Sequence, residues 1–430
     1  MSCPERAELH AWLRLMLSPG LGLAAARQLL ATFGRPEAIW AAEPEAWAQA
    51  LQAQPDGGAQ VPPRPRTGRA ARHASAWATP PEGLDALVDD TLAWASLDDR
   101  HVLTLADGRY PRALLDAADP PLVLFAEGDL RALDAVGVAV VGSRHATPGG
   151  IAHARQFAEA LADAGVVVIS GLARGIDAAA HEGALAAAER HPGAPGHSPA
   201  TIAVVGTGLD QVYPKGHAGL ARRIAQRGLV LSEFPLGTPP LAGNFPKRNR
   251  VVAALSRGVL VVEAAVQSGS LITARLAAEL GREVLAIPGS IQSPQARGCH
   301  ALIKQGAKLA ETAADVLDEL RPWLDQQTRG RLAALSAELA ALATLPGPDA
   351  DPAAARTGAR LDDCSGAFTD APAAADPVLR AMGFDPVSQD ALAARTGWGP
   401  AELGVHLLTL ELGGQVARLP GALFQRLGRA

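Results

Sequence analysis

Cysteine is nearly absent from this 430-residue chain: Cys3, Cys299 and Cys364 are its only three. Few, far apart and odd in number, they exclude a disulfide framework and a cysteine-rich zinc site, and they fit a reducing compartment. No run of 18 uncharged apolar residues occurs, so no segment reads as membrane-spanning. The N-terminal MSCPERAELHAW carries charges where a secretory leader needs an apolar stretch. The chain therefore reads as cytoplasmic. Positive charge is not in excess: 39 Lys+Arg against 44 Asp+Glu gives −5. That excludes a surface coated in positive charge and confines any nucleic-acid site to a local patch. Aromatics make up 4%, enough for a few stacking anchors and too few for a continuous platform. What remains is 48% hydrophobic and 19% charged, so global disorder is excluded and a large core is easily built. At roughly 150 residues per domain the length predicts about three domains.

Composition divides the chain into four parts. Residues 1–95 are Ala/Leu-rich with helical spacing, and LSPGLGLAAARQLLATFG places a Gly-rich hairpin between two helical patterns. Such a hairpin can present backbone N–H groups to a phosphate, though a small helical packing domain (of the SAM or helix-hairpin-helix kind) explains it more simply. Residues 96–322 alternate short β-branched runs with amphipathic stretches. Residues 323–376 read as a helical extension and linker, low in large apolar side chains from 345 on. Residues 377–430 hold three amphipathic pieces ending in GGQVARLPGALFQRL, a hairpin pattern that predicts a winged helix.

The middle region carries the information. Its apolar runs VGVAVVG, VVVISG, TIAVVG, LVLSE, VLVVEA and EVLAIPG are hydrophobic on both faces, as buried parallel strands are. With helix-length stretches between them they predict an α/β fold, a doubly wound parallel sheet with right-handed crossovers. Ligands of such sheets bind beyond the carboxyl ends of the strands. Those ends read Gly142-Ser143-Arg144, Ser170-Gly171-Leu172-Ala173-Arg174-Gly175, Gly206-Thr207-Gly208 and Ser268-Gly269-Ser270. Glycine admits a close backbone approach, hydroxyls donate, and helix N-termini favour negative charge. The edge is built for an anion, and phosphate fits it. Gln211 stands where a dinucleotide fingerprint needs its third glycine and no Walker A lysine motif appears, so NAD and ATP are poorly supported.

Charge points the same way. Between Gly206 and Gly258 there are eight basic residues and two acidic ones, +6 within a chain of −5. The densest piece is Asn244-Phe245-Pro246-Lys247-Arg248-Asn249-Arg250, in which Lys247 and Arg250 share a helix face and Phe245 adds a stackable ring. Charge beside a ring is the recipe for single-stranded nucleic acid; a solvated helix face is the plainer account.

Together VAVVGSR, ISGLARGIDAAAH, VVGTGLDQVYP, LSEFP, NFPKRNRVVAALS, VVEAAVQSGSLITA and AIPG occur in this order, preceded by Tyr110-Pro111 and PPLVLFAEGDL. On these motifs the chain resembles the DNA-processing protein A family (DprA, or Smf), strongly over about 103–320 and loosely at both ends. The resemblance implies an extended Rossmann-like core with an N-terminal helical domain and a C-terminal winged-helix-like domain. It implies sequence-independent binding of single-stranded DNA, a homodimer, and loading of RecA during natural transformation, without enzymatic activity, cofactor or metal. Carried over, it makes Arg144 a phosphate contact beside Gly142 and Ser143, with Ser170, Gly171, Arg174 and Gly175 lining the same pocket. Phe245, Lys247, Arg248, Asn249 and Arg250 form the adjacent rim, and Ser268 and Gly269 close the site. Gln267 replaces a basic residue usual in relatives, and Cys299-His300 a Ser/Thr-Asn pair; a structural role for His300 is the simpler reading.

Two enzyme readings compete. Asp177, Asp210, Glu233 and Glu263 all lie near strand ends, where paired carboxylates would hold two Mg²⁺ for a nuclease. A related Rossmann-like group hydrolyses nucleoside monophosphates with a Pro-Gly-Gly-x-Gly-Thr loop, where this chain has Ser268-Gly269-Ser270-Leu271.

Overall fold

The computed structural model describes residues 4–52, 74–190, 199–324, 376–384, 386–419 and 421–427. Nearly all of the predicted linker, the Pro/Gly-rich sequence QPDGGAQVPPRPRTGR at 54–69, Cys3 and Cys364 lie outside them. The chain divides into two compact units, one running from the N-terminus through 322 and the other chiefly 323–430.

Among the described residues of the first unit five α-helices come first: α1 (Arg6–Leu17), α2 (Leu23–Phe33), α3 (Pro36–Ala41), α4 (Pro44–Gln52) and α5 (Leu84–Ala95). Strands β1 (Arg100–Thr104), β2 (Val123–Gly128) and β3 (Gly137–Val141) follow. From there strand and helix alternate: α6 (Pro148–Asp163), β4 (Val167–Ser170), α7 (Ile176–Arg190), β5 (Thr201–Val205), α8 (Ala218–Arg227), β6 (Leu229–Ser232), α9 (Asn244–Leu255), β7 (Gly258–Val261), α10 (Ser270–Glu279), β8 (Glu283–Ala286), α11 (Arg297–Lys304), β9 (Lys308–Leu309) and α12 (Ala313–Leu320). The six apolar runs became β3 to β8. Residues of β3, β4, β5, β6 and β7 are buried without exception, which is why those runs do not alternate with polar residues.

The sheet has nine strands in the order β1-β2-β6-β5-β4-β3-β7-β8-β9. Strands β6 to β9 in that order pair in parallel, while β1, β2 and β6 pair antiparallel. From β3 the chain winds outward through β4, β5 and β6, then returns to the other side of β3 as β7 and winds outward again. The β3/β7 boundary is therefore the topological switch point, where adjacent crossovers leave in opposite directions and open a crevice.

The helical N-terminal region is not separate from this sheet. One apolar cluster joins Leu9, Trp12, Leu29, Ile39 and Trp47 to Val102, Val123 and Phe125 of β1 and β2. Its Gly-rich hairpin is tied inward, the Pro19 carbonyl accepting from Trp77 Nε1 at 2.8 Å. The second unit carries α13 (Pro377–Met382), β10 (Val387–Ser388), α14 (Gln389–Thr396), α15 (Pro400–Leu412), β11 (Val416–Leu419) and β12 (Leu423–Arg426), with strand order β10-β12-β11. Three helices before a β-ribbon make the winged helix, closed over Leu392, Leu403, Leu407 and Phe424.

A buried histidine gives the sheet an acid-sensitive point. His181 of α7 is fully buried, its Nδ1 2.7 Å from Thr201 Oγ1, which itself donates to the Val168 carbonyl at 2.6 Å. The hydroxyl's proton is thus committed, so the imidazole donates from Nδ1. Burial, helped by the charge of Arg248, lowers its pKa to about 3 from 6.5. An unfolded chain takes up this proton and the folded one refuses it, so stability is complete above pH 6.5 and falls as pH drops toward 3. Thermal melts between pH 7 and 4 should show this loss, and His181→Gln should flatten it; an unchanged acid limb would assign the loss elsewhere.

Candidate nucleic-acid interface

The crevice at the switch point is a pocket of about 510 Å³, within the range of roughly 300–1,000 Å³ typical of ligand sites. Gly142, Ser143 and Arg144 leaving β3, Gly171 leaving β4, Arg248 and Asn249 of α9, and Gln267, Ser268 and Gly269 before α10 line it. Residues 100 positions apart in sequence thus share one wall.

Backbone geometry holds the walls at close range. Ser143 N donates to the Glu263 carbonyl at 2.7 Å and Ile176 N to the Ser143 carbonyl at 3.1 Å. Ser143 Oγ accepts from His145 N at 3.1 Å, folding the Gly-Ser-Arg turn back on itself. Gly175 has φ +77°, and a Cβ there would overlap the Ser143 carbonyl oxygen, so glycine is required beneath that turn. A Cβ on Gly171 would overlap the Arg248 guanidinium, which packs directly on the bare Cα.

Arg248 decides the electrostatics. Its side chain is buried, yet among the described residues its one hydrogen bond runs from Nη1 to the Val204 carbonyl at 3.0 Å, and its Nε has no partner. A guanidinium has five N–H donors. Asp177 is the nearby acid, held by Gly171 N at 3.2 Å and Ala173 N at 3.3 Å rather than by a direct ion pair. Burial pushes the Asp177 carboxyl above the usual carboxylate range, against the pull of Arg248 and of these N–H groups. The fold therefore keeps a desolvated, under-satisfied cation at an open pocket, an arrangement costly without a compensating anion.

At the mouth, Arg144 is exposed and its guanidinium lies 5.3 Å from the Phe245 ring centroid. Phe245 in turn packs 5.6 Å from Tyr213, which is 45% exposed. A cation and two rings thus stand beside the anion pocket, where an unpaired base next to a bound phosphate can stack.

Some expected residues sit elsewhere. Ser170 is fully buried and donates to the Val140 carbonyl at 2.7 Å, so it joins two strands and is not part of the lining of this pocket. Arg174 is exposed and outside the pocket lining, and Gly175 acts from beneath. Arg248 is an interior cation rather than a rim residue. Arg250 points the other way, into an ion-pair network with Glu233 and Asp119. There burial pushes Glu233 up to about 7 against the charge of Arg250. Lys247 is exposed and makes no ion pair among the described residues. Asn249 reaches the Gly269 carbonyl at 3.4 Å and ties α9 to the α10 loop. His300 binds the Gly289 carbonyl at 3.0 Å, and Cys299 is buried with its thiol pushed up to about 12 by burial. Ser270 lines the pocket as part of the Ser268-Gly269-Ser270 loop, while His145, Thr273 and Tyr213 are additions; of these three only Tyr213, in GLDQVYP, had a signal, an aromatic beside a strand-end loop.

The four strand-end acids have separate structural duties. Asp177 ties the 171–173 loop, Asp210 accepts from Gly237 N at 2.8 Å, Glu233 pairs with Arg250, and Glu263 lies against Gly150 in the first turn of α6. Among the described residues no three His, Cys, Asp or Glu form a group able to hold a metal ion.

Comparison with known proteins accounts for this construction. A family model described as DNA recombination-mediator protein A matches residues 101–321, and the DprA winged helix domain matches 366–422. The chain belongs to the DprA family. Protein Smf of Escherichia coli (strain K12) is 39% identical over 347 residues, covering 80% of this chain and 82% of the relative. The DNA processing protein DprA of Streptococcus pneumoniae (strain ATCC BAA-255 / R6) is 44% identical over 232 residues, covering 52% and 78%. A crystal structure of DprA from Streptococcus pneumoniae superposes with a TM-score of 0.57 at 33% identity, covering 74% of this chain and 99% of that one. In this DprA-family chain four of the motifs that carry the resemblance, VAVVGSR, ISGLARGIDAAAH, NFPKRNRVVAALS and VVEAAVQSGSLITA, supply most of the lining of the switch-point pocket.

Gly175→Ala should cost about 2–4 kcal/mol in urea unfolding, from the left-handed backbone and the overlap with Ser143. A loss under about 1 kcal/mol would mean that the turn relaxes freely and does not hold the pocket.

Proposed function

We propose that this chain binds single-stranded DNA without sequence preference at the switch-point pocket, protecting incoming DNA and handing it to a RecA recombinase during natural transformation and recombination. The observation that carries the binding step is the buried, under-satisfied Arg248 at the base of an open pocket whose mouth bears Arg144, Phe245 and Tyr213. A backbone phosphate enters between the Gly142–Arg144 turn and the Ser268–Gly269 loop, where Arg248, Ser268 and backbone N–H groups meet it. Arg144 neutralises the same or the next phosphate, and the adjacent base stacks on the ring pair. No contact reads a base edge, so binding is indifferent to sequence and falls with salt as counterions return. Duplex bases are already stacked, which favours single strands.

The chain acts as a binding protein rather than an enzyme, with no cofactor or metal, in the cytoplasm. No helix among the described residues is long and apolar enough to cross a membrane. One pocket holds few nucleotides, so a homodimer with two pockets on one strand gains affinity through effective concentration. RecA loading rests on the family resemblance.

Fluorescence anisotropy on labelled single-stranded and duplex oligonucleotides across a salt series, with and without Mg²⁺, tests the reading. Arg144→Ala should weaken single-strand binding for every sequence while leaving the melting temperature unchanged. Lys247→Ala should reduce the log–log salt slope by about one. Arg250→Ala should lower the melting temperature, because Glu233 is left buried without its partner, and leave the slope unaltered. Unchanged affinity for Arg144→Ala would move the interface elsewhere, and a probe shortened in Mg²⁺ would revive a nuclease.

A further inference from the structure

The C-terminal winged helix presents a helix face that its own fold leaves uncovered. Helix α15 buries Leu403, Leu407 and Leu410 against the domain core. On its other side Val405 is 70% exposed, Leu408 54% and Leu412 82%, with Ala401 exposed in line with them. The spacing 401, 405, 408, 412 is the 4-3-4 rhythm of a helix-pairing seam.

This is also the helix that a winged helix would lay in a DNA major groove, the one before the β-ribbon. Its chemistry is wrong for that task. It has no lysine or arginine and carries Glu402 and Glu411. His406 is held by Asp376 at 2.7 Å, and Thr409 Oγ1 donates to the Val405 carbonyl at 3.0 Å. Over 376–427 there are four arginines and no lysine against five acids. Two of those arginines, Arg395 and Arg426, donate to carbonyls of their own domain, Ala381 at 3.1 Å and Leu379 at 3.3 Å. The domain therefore lacks the electrostatic footprint of a duplex-binding module.

We infer that the exposed face of α15 is a self-association surface, pairing antiparallel with the same helix of a second copy of this chain across a twofold axis. The sequence of the face fits itself in that arrangement. Ala401 meets Leu412 of the second copy and Val405 meets Leu408, so the smaller side chain faces the larger at every layer. Along the flanks Glu402 stands opposite Thr409, and Glu411 opposite Gly404, so no acids confront each other. A parallel pair would set Ala401 on Ala401 and leave one end of the seam empty. Antiparallel helix dipoles add to the preference. The seam is about 16 Å long. So small an area gives a weak, concentration-dependent contact, suited to joining chains that a common DNA strand already brings together. The inference rests on the winged helix alone, so its failure leaves the DNA reading untouched.

Site-directed cross-linking of the full-length chain tests it. Ala401→Cys and Leu412→Cys are prepared separately, and each is oxidised alone and as a mixture, with the parent chain and its own three cysteines as background. The mixture should give a disulfide-linked dimer well above either variant alone, because only 401 and 412 fall within the roughly 7 Å Cα separation that a disulfide spans. Adding Leu408→Glu to both should cut the yield at least about tenfold, since a carboxylate would be buried in the seam. Residue 408 is exposed in the single chain, so a circular dichroism spectrum equal to the parent's is expected. Absence of the mixed dimer overturns the proposal, and so does a 412–412 dimer formed as readily as the mixed one, which marks random collision.

Discussion

The site depends on one buried cation. Arg248 lies under Gly171, where any side chain larger than hydrogen would displace it, and the sheet offers it a single carbonyl. A guanidinium cannot shed its proton to escape this position. The surrounding glycines, the Asp177 brace on the 171–173 loop and the Ser143 turn all follow from the need to bring polar backbone close to that charge without closing the space in front of it. The pocket is thus a polarised gap in the sheet edge, held open by neighbours that cannot move inward.

Charge that looks continuous along the chain is sorted by the fold into different tasks. Arg223 pairs with Glu182 and Glu189, Arg250 with Glu233 and Asp119, and Arg248 enters the interior. Arg144, from a segment 100 residues earlier, reaches the mouth beside Phe245. The local excess of +6 between 206 and 258 therefore overstates what a ligand meets. The interface is smaller and deeper than a basic surface patch, with its rings supplied by Tyr213 from the loop after β5 and by Phe245 from the first turn of α9.

Much of the fold was legible because burial on both faces leaves an unmistakable mark. Six Val/Ile runs without polar alternation became six strands, and the Gly/Ser/Arg clusters after them marked the strand ends. The short antiparallel strands β1 and β2 were not separately foreseen, since β1 is half covered by the N-terminal helices and shares their core. Gly142, Ser143, Arg144, Gly171, Asn249, Ser268 and Gly269, named from motif and position, all line the pocket. Ser170 and Arg250 were misplaced because a hydroxyl or guanidinium near a strand end gives no hint of which neighbour it satisfies. In the winged helix, α15 is apolar on both faces, so its sequence cannot say which face meets its own core.

The sequence by itself determined the six strands β3 to β8, the glycines at their ends and the family, because those rest on local patterning and on motifs preserved in order. Only the tertiary structure decided which strand ends meet. The β3/β7 switch point, and with it the pocket, arises from the direction in which each crossover returns, a choice made by sheet twist and packing and not written in any one loop. The direction of each arginine was settled in the same way, by whichever carboxylate or carbonyl the folded neighbours brought within reach.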